Sequence, residues 1–377
     1  MEIAIGLMDS ITSFISSNAI PFLAVLTVIV FFHELGHFLV ARWCGVAVEV
    51  FSIGFGREIV GWTDRQGTRW KIGWLPLGGY VKFLGDANAA SMPDTSAPAR
   101  ARGTGDFHSK PLSRRAAIVA AGPIANFLLA IVIFAASYSL IGVPVSLPVV
   151  DEVKAGSAAE AAGMKPGDLI KRIDGKEIAS FTDIQRQVAD RPGDPLPIVI
   201  ERNGAEMTLT VTPIATEVSD GAGGKMRLGL LGISRDVRRD LRYDKKGVGE
   251  AVTLAVGETW FVITKSLSYV KGVIVGRESA DQLAGPLRIA QVSGQAAAVG
   301  FSALLQLAAV LSVSIGLINL FPIPLLDGGH LLYYAIEWIR GRPLGPAAQE
   351  FGFRIGMVLV LMLMLVATWN DIMRSGS

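Results

Sequence analysis

Four long runs of hydrophobic residues alternate with polar segments along the chain. A helix needs about 20 mostly apolar residues to cross the hydrocarbon core of a bilayer. The runs at residues 19–43, 116–142, 301–321 and 351–369 reach or approach this length. The pattern therefore predicts a polytopic α-helical membrane protein with about four transmembrane helices.

A fifth apolar stretch, residues 247–276, is interrupted by charged side chains at Glu250, Glu258, Lys265 and Lys271. These charges favour a helix that lies in the outer membrane interface over one that spans the bilayer. A fifth crossing would also reverse the direction of the span that follows it.

Composition agrees with this class of protein. Hydrophobic residues make up 51% of the 377 residues, which is high for a soluble protein. The net charge of +2 argues against nucleic acid as a partner. The single cysteine, Cys44, excludes an internal disulfide framework. No basic residue precedes Arg42, so the first run lacks the positive start of a signal peptide and is predicted to be a retained span.

Basic residues predict the orientation of the spans. The loop between the first two runs, residues 44–115, holds more lysine and arginine than acidic residues. Such loops stay in the cytoplasm. Both termini and the segment after the second span are therefore predicted outside the cytoplasm. The two arginines of EWIRGRP, after the third span, agree with this orientation.

The polar insert at residues 146–216 is predicted to alternate short strands with one small helix, and it has an Asn203-Gly204 turn. Its segment GSAAEAAGMKPGDLIKRIDGKEI closely resembles the bacterial, circularly permuted PDZ domain. The resemblance implies an α+β domain that binds extended chains by adding a strand to a sheet edge. The predicted orientation places this domain outside the cytoplasm.

Within the first loop, IGWLPLGGYVKFLG (residues 72–85) predicts an apolar β-hairpin interrupted by glycine. A surface hairpin and a hairpin that dips into the membrane are both open on these residues alone. The small, polar, proline-containing residues 86–106 predict a flexible linker. His108 is expected to be solvated there.

The first run contains ionisable residues that are costly at membrane depth and usually functional there. In FFHELGHFLVARW, His33 and His37 are four residues apart and share one face of a helix, with Glu34 beside them. Two histidines at this spacing can bind one metal ion, and the glutamate can act on a water bound to it. A pair of pore-lining histidines and a structural ion-pair network remain as alternatives.

A third ligand is expected from NLFPIPLLDGGHLL, residues 319–332. Pro322 and Pro324 remove backbone donors and predict that the third span ends in an extended, kinked stretch. Irregular backbone at this depth must be packed in protein or face a water-filled cavity. Asp327 follows, at the level where the first span carries its histidines. It is the predicted ligand, and His330 is the alternative.

HELGH, NLFPIPLLDG and the GPxxN element of AAGPIANFLL (residues 120–129) together strongly resemble motifs of the site-2 protease family of intramembrane zinc metalloproteases. The resemblance covers the whole chain. It implies that Zn²⁺ is the cofactor, with His33, His37 and Asp327 as ligands. Glu34 is then the catalytic acid/base.

By the same resemblance, residues 72–85 form a membrane-re-entrant β-element beside the active site. This element would pair with an unwound stretch of substrate. Gly78 and Gly79 would let the two backbones approach closely. Asn319 and Asn126 are assigned to positioning the substrate and shaping the site.

The resemblance also implies a biological setting, the bacterial inner membrane. The expected substrates are single-pass membrane proteins cut in or near their transmembrane segment. They are anti-sigma factors already trimmed by an upstream extracytoplasmic protease, or remnant signal peptides. The PDZ domain would screen these substrates. Some relatives have two such domains, and this chain has room for one.

Two other classes of function stay open at this point. One is a membrane adaptor whose PDZ domain collects extended tails and whose metal site is structural. A structural zinc ion normally has four protein ligands. The sequence offers three good candidate ligands, which favours a catalytic site with one position left for water. The other is a metal-ion transporter that uses the same ligands.

The sequence thus predicts an ordered series of segments. They are the first transmembrane helix with HELGH (1–43), the cytoplasmic loop (44–115), the second transmembrane helix (116–142), the PDZ domain (146–216), an interfacial amphipathic region (217–300), the third transmembrane helix with the LDG motif (301–327), a cytoplasmic connection (328–350), and the fourth transmembrane helix with the tail (351–377).

Overall fold

The computed structural model describes residues 15–86, 105–189, 191–219, 225–235, 241–276 and 285–375. The helices are α1 (Ile20–Trp43), α2 (Leu112–Leu140), α3 (Ala158–Ala161), α4 (Phe181–Ala189), α5 (Val248–Ile274), α6 (Pro286–Val299), α7 (Phe301–Asn319), α8 (Asp327–Arg340) and α9 (Pro346–Ser375). The strands are β1 (Val48–Thr63), β2 (Arg69–Phe83), β3 (Val143–Ser146), β4 (Glu152–Val153), β5 (Leu169–Ile173), β6 (Lys176–Glu177), β7 (Leu196–Arg202), β8 (Ala205–Val211), β9 (Ile214–Ser219), β10 (Lys225–Leu230), β11 (Ile233–Ser234) and β12 (Leu241–Asp244). Most of the predicted linker, 86–106, lies outside the described residues.

Four helical segments within the described ranges are long and apolar enough to cross a membrane. They are Ser16–Trp43, Leu112–Leu140, Phe301–Asn319 and Ala347–Met373. This confirms the prediction of a polytopic helical membrane protein. The helix α5 is not in this group, although it is 27 residues long.

The chain divides into two compact units. The first, which we call the membrane unit, comprises Met1–Ala136, Ala251–Ser266 and Ala280–Ser377. The second, the insert unit, comprises Ser137–Glu250 and Leu267–Ser279. The membrane unit holds HELGH and the predicted third ligand, so all of the predicted metal chemistry falls within one unit.

In the membrane unit, α1 and α2 lie in close contact at Gly36. A Cβ atom added to Gly36 would lie 2.7 Å from Cβ of Ala125 and would also meet the carbonyl oxygen of Ala121. Small residues allow this close approach of two apolar helices. The contact brings α2 against the face of α1 that carries the two histidines.

The β-hairpin is longer than predicted, and the placement of both its strands within residues 72–85 is wrong. Strand β1 pairs antiparallel with β2, and Ile53 lies opposite Gly79. The chain is extended at Gly78 and Gly79. A Cβ on Gly79 would lie 2.7 Å from the carbonyl oxygen of Ser52, so this glycine serves a close approach of two strands.

The true turn of the hairpin begins at Asp64. Its Oδ1 accepts hydrogen bonds from the amides of Gln66 and Thr68, each at 2.9 Å. Gly67 has a φ of +88°, in the left-handed region that suits glycine. An aspartate that bonds the backbone two residues further on is a common turn device.

Aromatic packing fixes the hairpin to α1. Phe51 is fully buried, and its ring lies 5.7 Å from that of Phe38 and 4.3 Å from that of Trp70, measured between centroids. The Arg42 guanidinium, at the end of α1, lies 3.6 Å from the Asp64 carboxylate of the turn. These contacts hold β2 beside the helix that carries HELGH.

The predicted third span, 301–327, is not one continuous helix. Helix α7 ends at Asn319, and a new helix, α8, begins at Asp327. Pro322 and Pro324 interrupt the helical hydrogen bonds, as the sequence indicated. Most of α8 lies in the segment predicted as a connection, 328–350.

Glycines make the return of the chain onto α8 possible. A Cβ on Gly329 would lie 2.6 Å from Cα of Pro324, and one on Gly328 would meet the carbonyl oxygens of Leu320 and Phe321. Both glycines are buried. The first turn of α8 thus packs on the backbone of the proline segment and fixes the position of Asp327.

The solvated environment expected for His108 is also wrong. Its Nε2 lies 2.9 Å from Oδ1 of Asp86, and the Asp86 side chain is fully buried. The backbone amide of His108 donates to Asp106 at 2.7 Å. These bonds join the start of the described segment at 105 to the end of β2, a contact that no local pattern could indicate.

The insert unit is built on a four-stranded antiparallel sheet in the order β6-β5-β7-β8. Ile170, Ile198 and Ile200 are fully buried in its core. The core also includes Leu231, so the predicted end at residue 216 is too early. The structural reason is long-range pairing, in which β11 pairs with β4 and β12 pairs with β3. The predicted interfacial region, 217–300, therefore begins with strands of this unit.

A buried ion pair links two strands of the insert unit. Arg202 Nε and Nη2 each lie 2.7 Å from one carboxylate oxygen of Asp168, whose side chain is 1% exposed. Burial alone would raise the pKa of Asp168. The hydrogen bonds from Arg202 and from the Lys165 amide outweigh burial, and the pKa is lowered from its usual value.

Replacing Arg202 by methionine is expected to destabilise the insert unit by about 3 kcal/mol near neutral pH, because the Asp168 charge loses its partner while staying buried. The folded-state pKa of Asp168 is below its unfolded value of about 3.9, so the pair stabilises above that value. Its contribution is lost as the pH falls through the folded-state pKa. Hydrogen exchange in β5 and β7 of the full-length protein measures the effect. If Arg202→Met lowered the protection of these amides by the same amount at neutral and at strongly acidic pH, the prediction would be wrong.

Candidate metal centre

Helix α1 presents two imidazoles to one point. His33 and His37 are one turn apart and only 9% and 8% exposed, and their Nε2 atoms lie 3.3 Å apart. The two ring nitrogens therefore face each other closely. Such an arrangement is typical of two ligands that point at a common cation.

The third group comes from the start of α8. Oδ2 of Asp327 lies 3.2 Å from Nε2 of His33 and 3.5 Å from Nε2 of His37. Leu325 lies two residues before Asp327. Its backbone φ is +138°, which is rare for a residue other than glycine. Strain of this type is found at functional sites that the surrounding structure holds in place.

The three atoms fit a zinc ion. Ligand atoms held about 2.0–2.1 Å from a tetrahedral zinc are roughly 3.3–3.4 Å apart. The three separations here, 3.2, 3.3 and 3.5 Å, agree with that value. Oδ2 of Asp327 is also buried and accepts no hydrogen bond within the described structure, which suits an atom that binds a cation. His33, His37 and Asp327 are therefore a group that can hold a metal ion.

The second ring nitrogen of each histidine faces α2. Nδ1 of His37 lies 2.8 Å from the carbonyl oxygen of Ile118, so Nδ1 carries the hydrogen and Nε2 keeps its lone pair. Nδ1 of His33 lies 3.3 Å from the side-chain amide of Asn126. Outer contacts of this kind orient metal-binding imidazoles.

Gly122 leaves room for both imidazoles. A Cβ atom at this position would lie 2.9 Å from Cε1 of His33 and would also meet Nε2 of His37. Pro123 follows and cannot donate to the carbonyl of Val119, so the helical bonding of α2 is interrupted next to the site. The GPxxN element of the sequence begins with this pair, and its glycine provides space for the two imidazoles.

The metal-binding atoms open into a cavity of about 200 Å³. Of the predicted site residues, its lining includes the candidate ligands His33, His37 and Asp327 together with Glu34, Gly79 and Asn319. It also includes the alternative ligand, His330, which is outside the group of three metal-binding atoms.

Two of the predicted residues are placed differently. Gly78 lies against the ring of Phe55, and a Cβ on it would lie 2.9 Å from Cζ of that ring. Asn126 lies behind His33 and is fully buried. Neither is part of the cavity lining.

Strand β2 forms one wall of the cavity through Gly79, Tyr80 and Val81. A Cβ on Gly79 would lie 3.1 Å from Cγ of Glu34, so the strand passes directly beside this carboxylate. Tyr80 and Val81 were not recognised from the sequence. Their only signal was the adjacent Gly-Gly pair, which was interpreted as part of a hairpin.

Helices of spanning length around a site of two histidines and one carboxylate define a membrane-bound metalloenzyme. The sequence model of peptidase family M50 matches residues 21–363. The chain belongs to this family, the site-2 protease family.

Relatives support the same assignment over nearly the whole chain. "Putative zinc metalloprotease Atu1380" of Agrobacterium fabrum is 51% identical over 368 residues, which cover 96% of this chain and 97% of the relative. "Putative zinc metalloprotease R01501" of Rhizobium meliloti is 53% identical over 357 residues, covering 93% and 95%. "Metalloprotease MmpA" of Caulobacter vibrioides is 41% identical over 380 residues, covering 94% and 95%.

These findings confirm the family expected from the motifs. The protein is a multi-pass membrane protein and a zinc metalloendopeptidase, with zinc as its cofactor. The family model and the names of these relatives refer to a peptidase, and neither refers to an adaptor or a metal-ion transporter.

Proposed function

We propose that this protein hydrolyses peptide bonds in or next to the transmembrane segment of single-pass membrane proteins. In this proposal His33, His37 and Asp327 bind the zinc, and Glu34 is the catalytic acid/base. The supporting observation is that the three ligand atoms, Glu34 and strand β2 share one cavity in the unit built from the spanning helices.

The proposed role of Glu34 is proton transfer. When bound, zinc supplies a Lewis acid that polarises the scissile carbonyl and lowers the pKa of water toward neutrality. The Glu34 carboxylate accepts a proton from the attacking water and delivers it to the nitrogen of the leaving amine. Its position one residue after His33, in the lining of the cavity, supports this role.

Strand β2 is proposed to hold the substrate. A transmembrane helix bonds its amides internally, so the bond to be cut must first be unwound. Strands β1 and β2 form a two-stranded sheet, which leaves the second edge of β2 without a strand partner in the described part of the chain. An extended stretch of substrate can add to that edge, and it would lie near Glu34 because β2 itself passes close to this side chain at Gly79. Asn319, also in the cavity lining, is proposed to position the substrate.

The insert unit is proposed to be the PDZ domain that the sequence resembles. An apolar groove runs between α4 and the segment from Gly229 to Ile233, and it is lined by Phe181, Ile184, Val188 and Leu230 among others. Such a groove suits an extended chain with apolar side chains. We assign it to screening substrates outside the cytoplasm.

The proposed location is the bacterial inner membrane, with the insert unit and both termini on the periplasmic side and the metal centre toward the cytoplasm. The excess of basic residues in loop 44–115 supports this orientation. The proposed substrates are anti-sigma factors that an upstream extracytoplasmic protease has trimmed, and remnant signal peptides. Cleavage would complete a regulated intramembrane proteolysis pathway.

The test uses the purified protein in liposomes with two versions of one single-pass protein. One version has a short unfolded external tail, and the other keeps a folded external domain. We expect zinc-dependent cleavage of the first version at a site that mass spectrometry locates in or next to the membrane segment, and much slower cleavage of the second.

Two outcomes would count against parts of this proposal. Cleavage restricted to soluble loops would contradict the intramembrane site. Equal rates for the two versions would contradict screening by the insert unit and leave the chemistry intact. Removal of zinc by a chelator, followed by its return, is the control for the metal.

A further inference from the structure

The two nitrogens of His33 have different tasks. Its Nε2 lies 3.3 Å from Nε2 of His37 and 3.2 Å from Oδ2 of Asp327, so Nε2 is the nitrogen that faces the metal site. A metal-binding nitrogen must keep its lone pair, and the hydrogen of the neutral ring is then on Nδ1. Nδ1 therefore needs a hydrogen-bond acceptor.

Asn126 is the group that faces Nδ1. The side-chain Nδ2 of Asn126 lies 3.3 Å from Nδ1 of His33. This pairing puts two N–H donors against each other. The other amide atom, Oδ1, is buried and has no hydrogen-bond partner in the described structure. A half-turn of the amide exchanges the two atoms and gives both Nδ1 and Oδ1 a partner.

We propose that Asn126 is a positioning residue for the metal centre, whose Oδ1 accepts a hydrogen bond from Nδ1 of His33 and holds Nε2 toward the zinc. This rests on the ligand set of the proposed function, and it specifies how Asn126 shapes the site, the role that the sequence resemblance implied. Asn126 is fully buried and absent from the cavity lining, so it acts through His33.

The same arrangement occurs at the second histidine. Nδ1 of His37 donates to the carbonyl oxygen of Ile118, two turns before Asn126 on α2. One helix therefore supplies the acceptor for both imidazoles. A backbone carbonyl serves His37 and a side-chain amide serves His33.

Helix α7 holds Asn126 in place. Ser312 Oγ donates to the backbone carbonyl of Asn126 at 2.8 Å. A Cβ on Gly316 would lie 3.1 Å from Cβ of Asn126, so α7 packs tightly at this point. These contacts restrain the backbone and Cβ of Asn126, so its side-chain amide can move only by rotation about the side-chain bonds.

The test measures zinc affinity by competition with a chromogenic chelator, using the full-length protein in detergent. Asn126→Leu keeps the approximate size of the side chain and removes the acceptor. It is expected to weaken zinc binding about 10–100-fold, the usual effect of losing an outer partner of a ligand. Asn126→Ala is expected to do the same and avoids crowding. Asn126→Asp restores an acceptor for Nδ1–H and is expected to keep the wild-type affinity.

Ser314→Ala on the same helix is the matched control, because the Ser314 hydroxyl donates to the carbonyl oxygen of Val310 and the change leaves the contacts of Asn126 intact. It is expected to bind zinc as the wild type does. The inference is overturned if Leu and Ala variants bind zinc as tightly as the wild type, or if the Asp variant is as weak as they are. A wild-type protein that binds no zinc would instead overturn the proposed function, so the two failures are distinct.

Discussion

Replacing Asp327 by asparagine is expected to release zinc from the purified protein and to abolish peptide-bond cleavage. The change removes the negative charge and leaves two neutral imidazoles as the only protein ligands of the group. The loss should exceed the 10–100-fold that follows removal of an outer partner, because a ligand itself is lost. Asparagine is well tolerated at the start of a helix, and the residue opens α8, so the fold is expected to be kept.

The matched control for this prediction is His330→Asn. His330 lies one turn further along α8 and lines the same cavity without belonging to the group of three metal-binding atoms. It is expected to keep the zinc. Zinc content by atomic emission and chelator competition give the readout. Zinc lost from His330→Asn and retained in Asp327→Asn would reverse the assignment of the third ligand.

Replacing Glu34 by glutamine is expected to separate metal binding from catalysis. Glutamine keeps the shape of the side chain and cannot take up a proton. Zinc affinity should stay within the wild-type range, because Glu34 is not one of the three metal-binding groups. The rate of cleavage should fall by about 10²–10⁴-fold, the usual contribution of general acid–base catalysis.

Single-turnover cleavage in liposomes, with zinc content measured on the same samples, tests this second prediction. Glu49→Gln is a suitable control, since Glu49 pairs with Lys82 in the hairpin at 2.8 Å and its side chain is 38% exposed. Its cleavage rate should match that of the wild type. A Glu34→Gln protein that cleaves at an unchanged rate would remove this residue from the mechanism.

The parts of the fold that the sequence predicted were those that depend on local pattern. The runs of apolar residues indicated the spanning helices, and the spacing of His33 and His37 placed both on one helical face. Pro322 and Pro324 indicated the break before Asp327, since the effect of proline on a helix is local. The predicted direction of the spans put Asp327 at the level of the two histidines, and the family resemblance assigned all three as ligands.

The parts that were missed depend on contacts between residues far apart in the chain. Strand β1 contains Gly54 and Gly56, both with positive φ, and its pattern did not indicate a long strand. The insert unit was ended too early because Leu231 belongs to a core whose other members lie up to 81 residues before it, at Val150. The bond from His108 to Asp86 was missed for the same reason.

The distance along the chain between the two histidines and Asp327 has a consequence for how the enzyme is made. During synthesis, α1 enters the membrane long before the ribosome reaches α8, so the nascent protein carries two imidazoles without their carboxylate partner. A site with two of its three proposed protein ligands is expected to bind a metal ion weakly. With Asp327 as the proposed third ligand, a complete metal site and the peptidase activity that depends on it are expected only when translation is nearly finished.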